Sequence, residues 1–149
     1  MMTEMKIQRL PHHGQVPPLP EYQTEGAAAM DLRAFLEHPV TIPAGGRSLI
    51  PTGLAVELPP QCAGLVMARS GLASRAGLGL SNGVGLIDPD YRGEVLVALI
   101  NQGDTPYTVQ NGDRIAQLLV VPFVRPVLRE GDLSCSDRQS GGFGSTGVR

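Results

Sequence analysis

The sequence predicts an all-β protein, a jelly-roll-like barrel or sandwich with one short helix and a flexible, glycine-rich C-terminal arm. Short segments with strand-like alternation recur roughly every ten residues, a spacing typical of sandwiches and barrels. Nineteen glycines and thirteen prolines separate these segments, and both residue types favour turns. With three Phe, three Tyr and no Trp, the core must be built mainly from Val, Leu, Ile and Ala. A chain of 149 residues is one domain of ordinary size, able to bury roughly 70% of its unfolded surface.

The N-terminal half of the chain is predicted to form short strands joined by turns. Lys6–Leu10 alternates polar and apolar residues, as a half-buried strand does. Four prolines between residues 11 and 20 then keep the chain extended, because proline fixes φ and lacks an N–H donor. Further strands are predicted at Ala27–Phe35, Val40–Ile42, Ser48–Ile50, Leu54–Leu58 and Gly64–Ala68, with a turn at Pro43–Gly46.

The second half of the chain contains the one predicted helix and the two longest strands. Ser70 opens this short helix, which spans Gly71–Ala76 and ends at Gly77. Asn82-Gly83 is a strong hairpin signal, because both residues accept the positive φ that the tightest turns require. The other predicted features are strands at Glu94–Asn101 and Arg114–Val124 and a tight turn at Asn111-Gly112.

Charge and composition exclude several classes of partner. The formal net charge is −2 and the pI is near 5.9, whereas a nucleic-acid surface needs a clustered basic excess. The longest apolar run, Leu118–Val121, is far shorter than a membrane span, and the first ten residues lack the apolar core of a signal peptide. We therefore expect a soluble, cytoplasmic protein without a nucleic-acid or membrane partner. A small substrate that carries phosphates needs only a few arginines and stays possible.

The cysteines and histidines form no recognisable site in the sequence. Cys62 and Cys135 are the two cysteines, and without a framework of even spacings they favour a reduced pair in the cytosol. His12, His13 and His38 have no ligand-like neighbours in the sequence. Metal binding through sulfur or imidazole is therefore not expected.

The segment Gly85–Val95 carries the richest chemistry. Two carboxylates, a tyrosine and an arginine fall in a tight turn between two strand-like segments. Pro89 fixes its own φ, and Asp88 and Asp90 can cap local amides. A carboxylate on such a rigid turn can also orient a water molecule and accept its proton. The residues alone leave both interpretations open, a capped structural turn or a general base.

A change in composition marks the C-terminal arm. Residues 131–149 hold five glycines and four serines but few large apolar groups, so they cannot bury enough surface to offset their ordering entropy. By composition this segment is a disordered tail. Yet Arg138, Phe143, Gly144 and Ser145 supply a charge, an aromatic ring, a main-chain donor and a hydroxyl. A flexible strap over a phosphate-bearing ligand would need the same groups.

Five segments, in the same order, resemble the motifs of the trimeric dUTP pyrophosphatases (dUTPases). They are AAAMDLRA (27–34), ARSGLASRAGL (68–78), GLIDPDYRGEV (85–95), NGDRIAQLLV (111–120) and RQSGGFGSTG (138–147). The resemblance implies a jelly-roll homotrimer, with a β domain at 1–130 and an arm at 131–149 that closes over the active site. It also implies Mg²⁺-dependent hydrolysis of dUTP to dUMP and pyrophosphate, by attack of water on the α-phosphate.

The resemblance assigns roles to residues of the first, second and fourth motifs. Asp31 is implied to support Mg²⁺ through bound waters, an ion that is commonly shared between a carboxylate and substrate phosphates. Arg69, Ser70 and Gly71 are implied to contact the phosphate chain, in keeping with the free N–H groups of a helix start. Gln117 is expected near the phosphates.

The third motif is implied to bind the nucleoside and to carry the catalytic base. Uracil is expected to be read by the main chain of Asn82, Gly83, Val84 and Leu86. The Asn82 side chain is expected to hold the attacking water, and Asp88 to take its proton. Tyr91 is implied to stack under the sugar, where its ring would exclude a ribose 2′-hydroxyl. Phe143 of the arm is expected to stack on the uracil.

Some charged residues of the same motifs are predicted to be structural. Asp90 and Arg92 are interpreted as scaffold of the turn, and Asp113-Arg114 as an ion pair at a turn.

Two rival functions are left open by the residues. A dCTP deaminase, or a bifunctional deaminase–diphosphatase, resembles the same family, but deamination needs an acid–base group beside the base. The predicted hairpin Asn82–Leu86 has no ionisable side chain, which disfavours that activity. A catalytically silent jelly-roll module that only senses nucleotide is the second rival, and the presence of every catalytic side chain argues against it.

Overall fold

The computed structural model describes residues 4–137 and 140, and within them it contains ten strands and one helix. The strands are β1 (Lys6–Arg9), β2 (Met30–Arg33), β3 (Val40–Ile42), β4 (Arg47–Glu57), β5 (Cys62–Met67), β6 (Leu78–Leu80), β7 (Gly85–Ile87), β8 (Glu94–Asn101), β9 (Tyr107–Val109) and β10 (Arg114–Pro122). The helix α1 (Ser70–Ala76) lies between β5 and β6. The predicted all-β fold with one short helix is confirmed.

The strands form two four-stranded antiparallel sheets and one two-stranded sheet. The first sheet has the order β1-β4-β8-β6, the second has the order β2-β10-β5-β7, and β3 pairs with β9. Neighbours within each sheet are mostly distant in sequence, as the crossovers of a jelly roll require.

The core is built from the alternate residues that each sheet turns inward. In β8, Val95, Val97 and Leu99 are buried, whereas Leu96 between them is exposed. The other sheet contributes buried residues such as Leu32 and Leu118 to the same hydrophobic cluster. Aliphatic side chains therefore fill the core, as the scarcity of aromatic residues predicted.

The two strands predicted at Ser48–Ile50 and Leu54–Leu58 are one strand, β4. The register against β8 shifts between Pro51 and Ala55, so the strand continues through a β-bulge rather than ending in a loop. Gly53 takes the positive φ (68°) that such a bulge needs. The buried Thr52 hydroxyl donates to Val95 O at 2.6 Å, which ties the irregular point to β8.

The prediction of a hairpin at Asn82-Gly83 is wrong, because the two strands that flank this turn do not pair with each other. A turn does form here, and Gly83 has the expected positive φ (71°), but Asn82 does not have one. The strands on either side do not pair with each other, because β6 pairs with β8 and β7 pairs with β5. The turn carries the chain from one sheet to the other, and each flanking strand buries its apolar residues in its own sheet.

The helix ends where the sequence places it and begins one residue earlier, because Ser70 is its first residue and does not precede it. Arg69 is its N-cap residue and Gly77 is its left-handed C-cap (φ 65°), with the Gly77 N–H donating to Ala73 O at 3.1 Å. In the described part of the chain, no helix is long and apolar enough to cross a membrane.

Candidate active site

One cluster of charged side chains forms where β2, β10 and the end of β5 meet. Asp31 is buried, with 8% of its surface exposed. Its Oδ1 lies 3.1 Å from Arg69 Nε, and its Oδ2 accepts a hydrogen bond from Arg114 Nη1 at 3.2 Å. Two guanidinium groups thus share one carboxylate, so the cluster keeps a net positive charge that favours binding of an anion.

Sheet register explains why these residues meet. Gln117 on β10 is paired with Asp31 on one side and with Met67 on the other. Its Nε2 donates to Ala68 O at 3.0 Å, which holds the chain just before Arg69. Arg69 Nη1 also donates to Arg114 O at 3.1 Å. Contacts with Asp31, and for Arg69 also with Arg114 O, therefore fix Arg69 at the start of α1 and Arg114 at the start of β10.

The segment after β7 forms a second cluster, around the turn from Asp88 to Tyr91. The Tyr91 N–H closes the turn on Asp88 O at 3.1 Å, and the Tyr91 hydroxyl donates to Glu94 O at 2.9 Å. A pocket of about 210 Å³ lies here, and its lining includes Asn82, Gly85, Asp88 and Tyr91. The Asp88 side chain is exposed, so a water molecule or a substrate can reach it.

Beside this pocket, two backbone N–H groups already make hydrogen bonds within the protein, and one strand lies at the edge of its sheet. Gly83 N–H donates to Leu80 O at 3.0 Å, and Val84 N–H donates to Asn82 O at 2.8 Å. β7, which contains Leu86, is the edge strand of its sheet in the described structure. The outward N–H and C=O groups of an edge strand are available to a ligand.

The two clusters lie far apart within one chain. Asp31 is level with Gln117 and Met67, and β7 is three strands away from β2 in the same sheet. By the register of β5 with β7, Val84 is level with Met67, and Asp88 lies four residues beyond Val84 along the chain. At about 4.8 Å per strand and 3.3 Å per residue, the Asp31–Asp88 separation is roughly 20 Å. One chain therefore does not bring its two clusters onto one small ligand.

The family of this chain is shown by its similarity to known proteins. The dUTPase family model matches residues 17–147. The chain belongs to the dUTPase family.

Relatives and solved structures agree with this assignment. A dUTPase relative, the deoxyuridine 5′-triphosphate nucleotidohydrolase of Anaeromyxobacter sp. (strain Fw109-5), is 52% identical over 99% of both chains. The dUTPase of Staphylococcus bacteriophage 80alpha, solved with dUPNHPP, has a TM-score of 0.87 and 26% identity, and the match covers 99% of this chain and all of that one. The fold also matches a dUTPase variant from phage phi11 of S. aureus, at 22% identity and a TM-score of 0.76, over 87% of this chain and 97% of that one. That phage structure is described as showing the coordination of a structural Mg(II) ion.

The dUTPase motifs are brought together only in part. Asp31, Arg69 and Gln117 lie in the first cluster, with Ser70 and Gly71 exposed in the first turn of α1 beside it. Asn82, Gly83, Val84, Leu86, Asp88 and Tyr91 lie in or beside the second. The predicted arm residues Arg138, Phe143, Gly144 and Ser145 lie outside the described residues.

Arg114 is the site residue that sequence reasoning missed. The predicted Asp113–Arg114 ion pair is wrong, because Arg114 binds Asp31 and the Asp113 carboxylate accepts the Gln110 N–H at 2.8 Å. Arg114 is the first residue of β10, whereas Asp113 belongs to the turn before it. The predicted start of the strand at Arg114 was the available signal, since it separates a turn residue from a strand residue.

Two of the three histidines, His13 and His38, lie near the carboxylate of Glu37, a contact that the sequence does not predict. His13 Nε2 lies 2.9 Å from Glu37 Oε2, and His38 Nε2 lies 3.9 Å from Glu37 Oε1. Even so, no group of three or more His, Cys, Asp or Glu among residues 4–137 and 140 could hold a metal ion.

The donor set at Asp31 does fit a magnesium ion held through water. Both carboxylate oxygens already contact a guanidinium, so the carboxylate is better placed to accept hydrogen bonds from the waters of an ion than to bind the ion itself. Mg²⁺ keeps several waters and takes its remaining ligands from substrate phosphates.

Proposed function

We propose that this chain is a dUTP diphosphatase, which hydrolyses dUTP to dUMP and pyrophosphate. The observation that carries the proposal is the Asp31–Arg69–Arg114 cluster, a fixed cationic site for phosphates in a chain of the dUTPase family. The reaction removes dUTP, which keeps uracil out of DNA, and supplies dUMP. The two free cysteines, Cys62 and Cys135, support a reducing, cytoplasmic setting. Pyrophosphate release from dUTP, UTP, dTTP and dCTP, with and without Mg²⁺, tests the activity and its selectivity.

The first cluster is assigned to the phosphate chain. Arg69 supplies charge, and Ser70 and Gly71 offer a hydroxyl and main-chain donors at the start of α1. Gln117 keeps the strand end that precedes Arg69 in place. Mg²⁺, held by Asp31 through its waters, would neutralise charge on the phosphates.

The second cluster is assigned to the nucleoside and to the base. Asp88 accepts a proton from a water molecule held by Asn82, and the water oxygen forms a bond to the α-phosphorus. The bond from the α-phosphorus to the bridging oxygen breaks, and pyrophosphate leaves with the bonding electrons. The open edge of β7 beside Val84 and Leu86 offers N–H and C=O groups to the uracil ring.

Sugar selectivity is expected to depend on the Tyr91 ring. Tyr91→Ala should relax discrimination against UTP far more than discrimination against dCTP, because the base is read by main chain and the sugar by this ring. The Tyr91→Phe variant is the matched control, since it keeps the ring and loses only the hydroxyl bond to Glu94 O. The ratios of kcat/KM for dUTP, UTP and dCTP measure both effects. An unchanged dUTP/UTP ratio in Tyr91→Ala would exclude the sugar-gate role.

A homotrimer is proposed as the active assembly. Its first support is the roughly 20 Å between Asp31 and Asp88 within one chain, which leaves each cluster in need of a second copy. Its second support is an exposed apolar face on the outer side of the first sheet. Leu49 on β4 is 58% exposed and Leu96 on β8 is 42% exposed, and the strand register makes them diagonal neighbours on one face, which a second copy of the chain would cover.

The C-terminal arm, residues 131–149, is proposed to close over bound dUTP. Base–aromatic stacking contributes about 1–3 kcal/mol, so Phe143→Ala should lower kcat/KM for dUTP roughly tenfold or more without changing Tm. Phe143→Trp would place a single tryptophan in a chain that has none. Its emission should change with a non-hydrolysable dUTP analogue and change less with dUMP, which lacks the phosphates that Arg138 and Ser145 would bind. Full activity after deletion of residues 138–149 would contradict this role.

The deaminase alternative finds no support in the pocket or in the comparisons. Glu94 is the one carboxylate besides Asp88 that the described pocket lining contains, and its Oε1 accepts the Gly53 N–H at 2.7 Å. The described turn residues 82–86 carry no ionisable side chain. Ammonia release from dCTP would restore this alternative, and turnover of any nucleotide would exclude a silent binding module.

A further inference from the structure

Arg92 links the turn that carries Asp88 to the neighbouring sheet. Its Nη1 donates to two carbonyls of the turn, Pro89 O at 2.8 Å and Tyr91 O at 3.0 Å. Its Nη2 lies 3.9 Å from Glu57 Oε2 on β4. Glu57 in turn accepts a hydrogen bond from Lys6 Nζ on β1 at 3.0 Å. The guanidinium therefore spans two separate parts of the fold.

The Glu57 end of this link is charged at neutral pH. The hydrogen bond and the charge of Lys6 lower the pKa of Glu57 below its ordinary value, and the charge of Arg92 lowers it further. A carboxylate that stays ionised can hold the guanidinium in one orientation.

The backbone of the turn decides where the Asp88 carboxylate lies. Among residues 4–137 and 140, no group makes a hydrogen bond or an ion pair with this carboxylate. Ile87, just before it, is buried and paired with Gly64, and the Tyr91 N–H closes the turn on Asp88 O. Two of the three other carbonyls of the turn, those of Pro89 and Tyr91, accept hydrogen bonds from Arg92.

We propose that Arg92 is a positioning residue for Asp88 and Tyr91, and that Glu57 orients Arg92. The inference rests on the proposed function. A displacement of about 1 Å in a reacting group can cost on the order of a hundredfold in rate, so bonds that fix the turn affect catalysis without touching substrate. Lysine cannot replace Arg92 here, because an ammonium lacks the planar fork that reaches two carbonyls and a carboxylate together.

The test compares variants of the two ends of this link in the full-length protein. Arg92→Lys and Arg92→Gln should each lower kcat for dUTP about tenfold or more, with KM changed by less than about threefold, because geometry and not binding is lost. Tm should stay unchanged, since exposed ion pairs contribute little to stability. Glu57→Gln should lower kcat less, and combining it with Arg92→Gln should cause no further loss, because both changes break one chain of contacts.

Lys6→Gln is the matched control, because a glutamate with an ordinary pKa is still ionised at neutral pH, so Glu57 keeps its charge and the turn contacts stay intact. Its kcat should equal that of the wild-type protein. Wild-type kcat in Arg92→Gln, a fully active Arg92→Lys, or a kcat loss that merely follows a fall in Tm would each overturn the positioning role. In those cases the activity of the wild-type protein on dUTP still stands. An inactive wild-type protein would instead overturn the proposed function, and this inference with it.

Discussion

Asp88→Asn is expected to lower kcat for dUTP by roughly 10²–10⁴, the usual contribution of a general base. The amide has nearly the shape of the carboxylate but cannot accept a proton from water. Asp88 is exposed on a turn that Tyr91 and Arg92 close through main-chain contacts, so the substitution leaves the fold intact. Binding of a non-hydrolysable dUTP analogue should therefore stay close to that of the wild-type protein, while steady-state kinetics report the loss in kcat.

Asp90→Asn is the control, because it makes the same chemical change two residues away on the same turn. Pro89 and Arg92 set the conformation of this turn, so loss of the Asp90 charge should leave kcat nearly unchanged. If Asp90→Asn were crippling and Asp88→Asn mild, the assignment of the base would be wrong. A similar fall in both variants would indicate that turn geometry, and not proton transfer, had been disturbed.

Mixed trimers of two inactive variants are expected to regain activity. Arg69→Gln removes a phosphate ligand from the first cluster, and loss of one such donor costs on the order of 10²–10³ in kcat. Asp88→Asn removes the base from the second cluster. If each site takes its clusters from different subunits of a cyclic trimer, equal co-expression leaves about a quarter of sites with both groups intact. Activity should rise from below about 1% to about 25% of the wild-type value.

The double variant Arg69→Gln/Asp88→Asn, co-expressed with wild-type protein, controls for subunit exchange. Light scattering on the mixed sample gives the mass of the assembly. Activity that stays at the level of the single variants, in a sample shown to contain mixed trimers, would place both clusters of a site in one chain. That outcome would contradict the separation of Asp31 and Asp88 inferred from sheet register. A monomeric, fully active protein would contradict the trimer itself.

Local patterns in the sequence determined most of the strands and the helix of this protein. The strand Glu94–Asn101 is predictable to the residue, because its alternate apolar residues face one core. The end of the helix at Gly77 is equally predictable, since glycine takes the left-handed conformation without strain. The resemblance to the family motifs identifies Asp31, Arg69 and Asp88 as candidate site residues from the sequence alone. These features are short-range, and each depends on a few neighbouring residues.

Only the tertiary structure decided which of these elements and residues meet. The Asn82-Gly83 turn forms at the predicted position, yet it joins two sheets, because its flanking strands pair with β5 and β8 and not with each other. Arg114 binds Asp31, 83 positions away, and not the adjacent Asp113. The distance between Asp31 and Asp88 depends on strand order across a whole sheet. The periodicity of a strand determines which face of the sheet a side chain lies on. The residues that it contacts are determined by how the sheets pack around one core, which no local sequence pattern specifies.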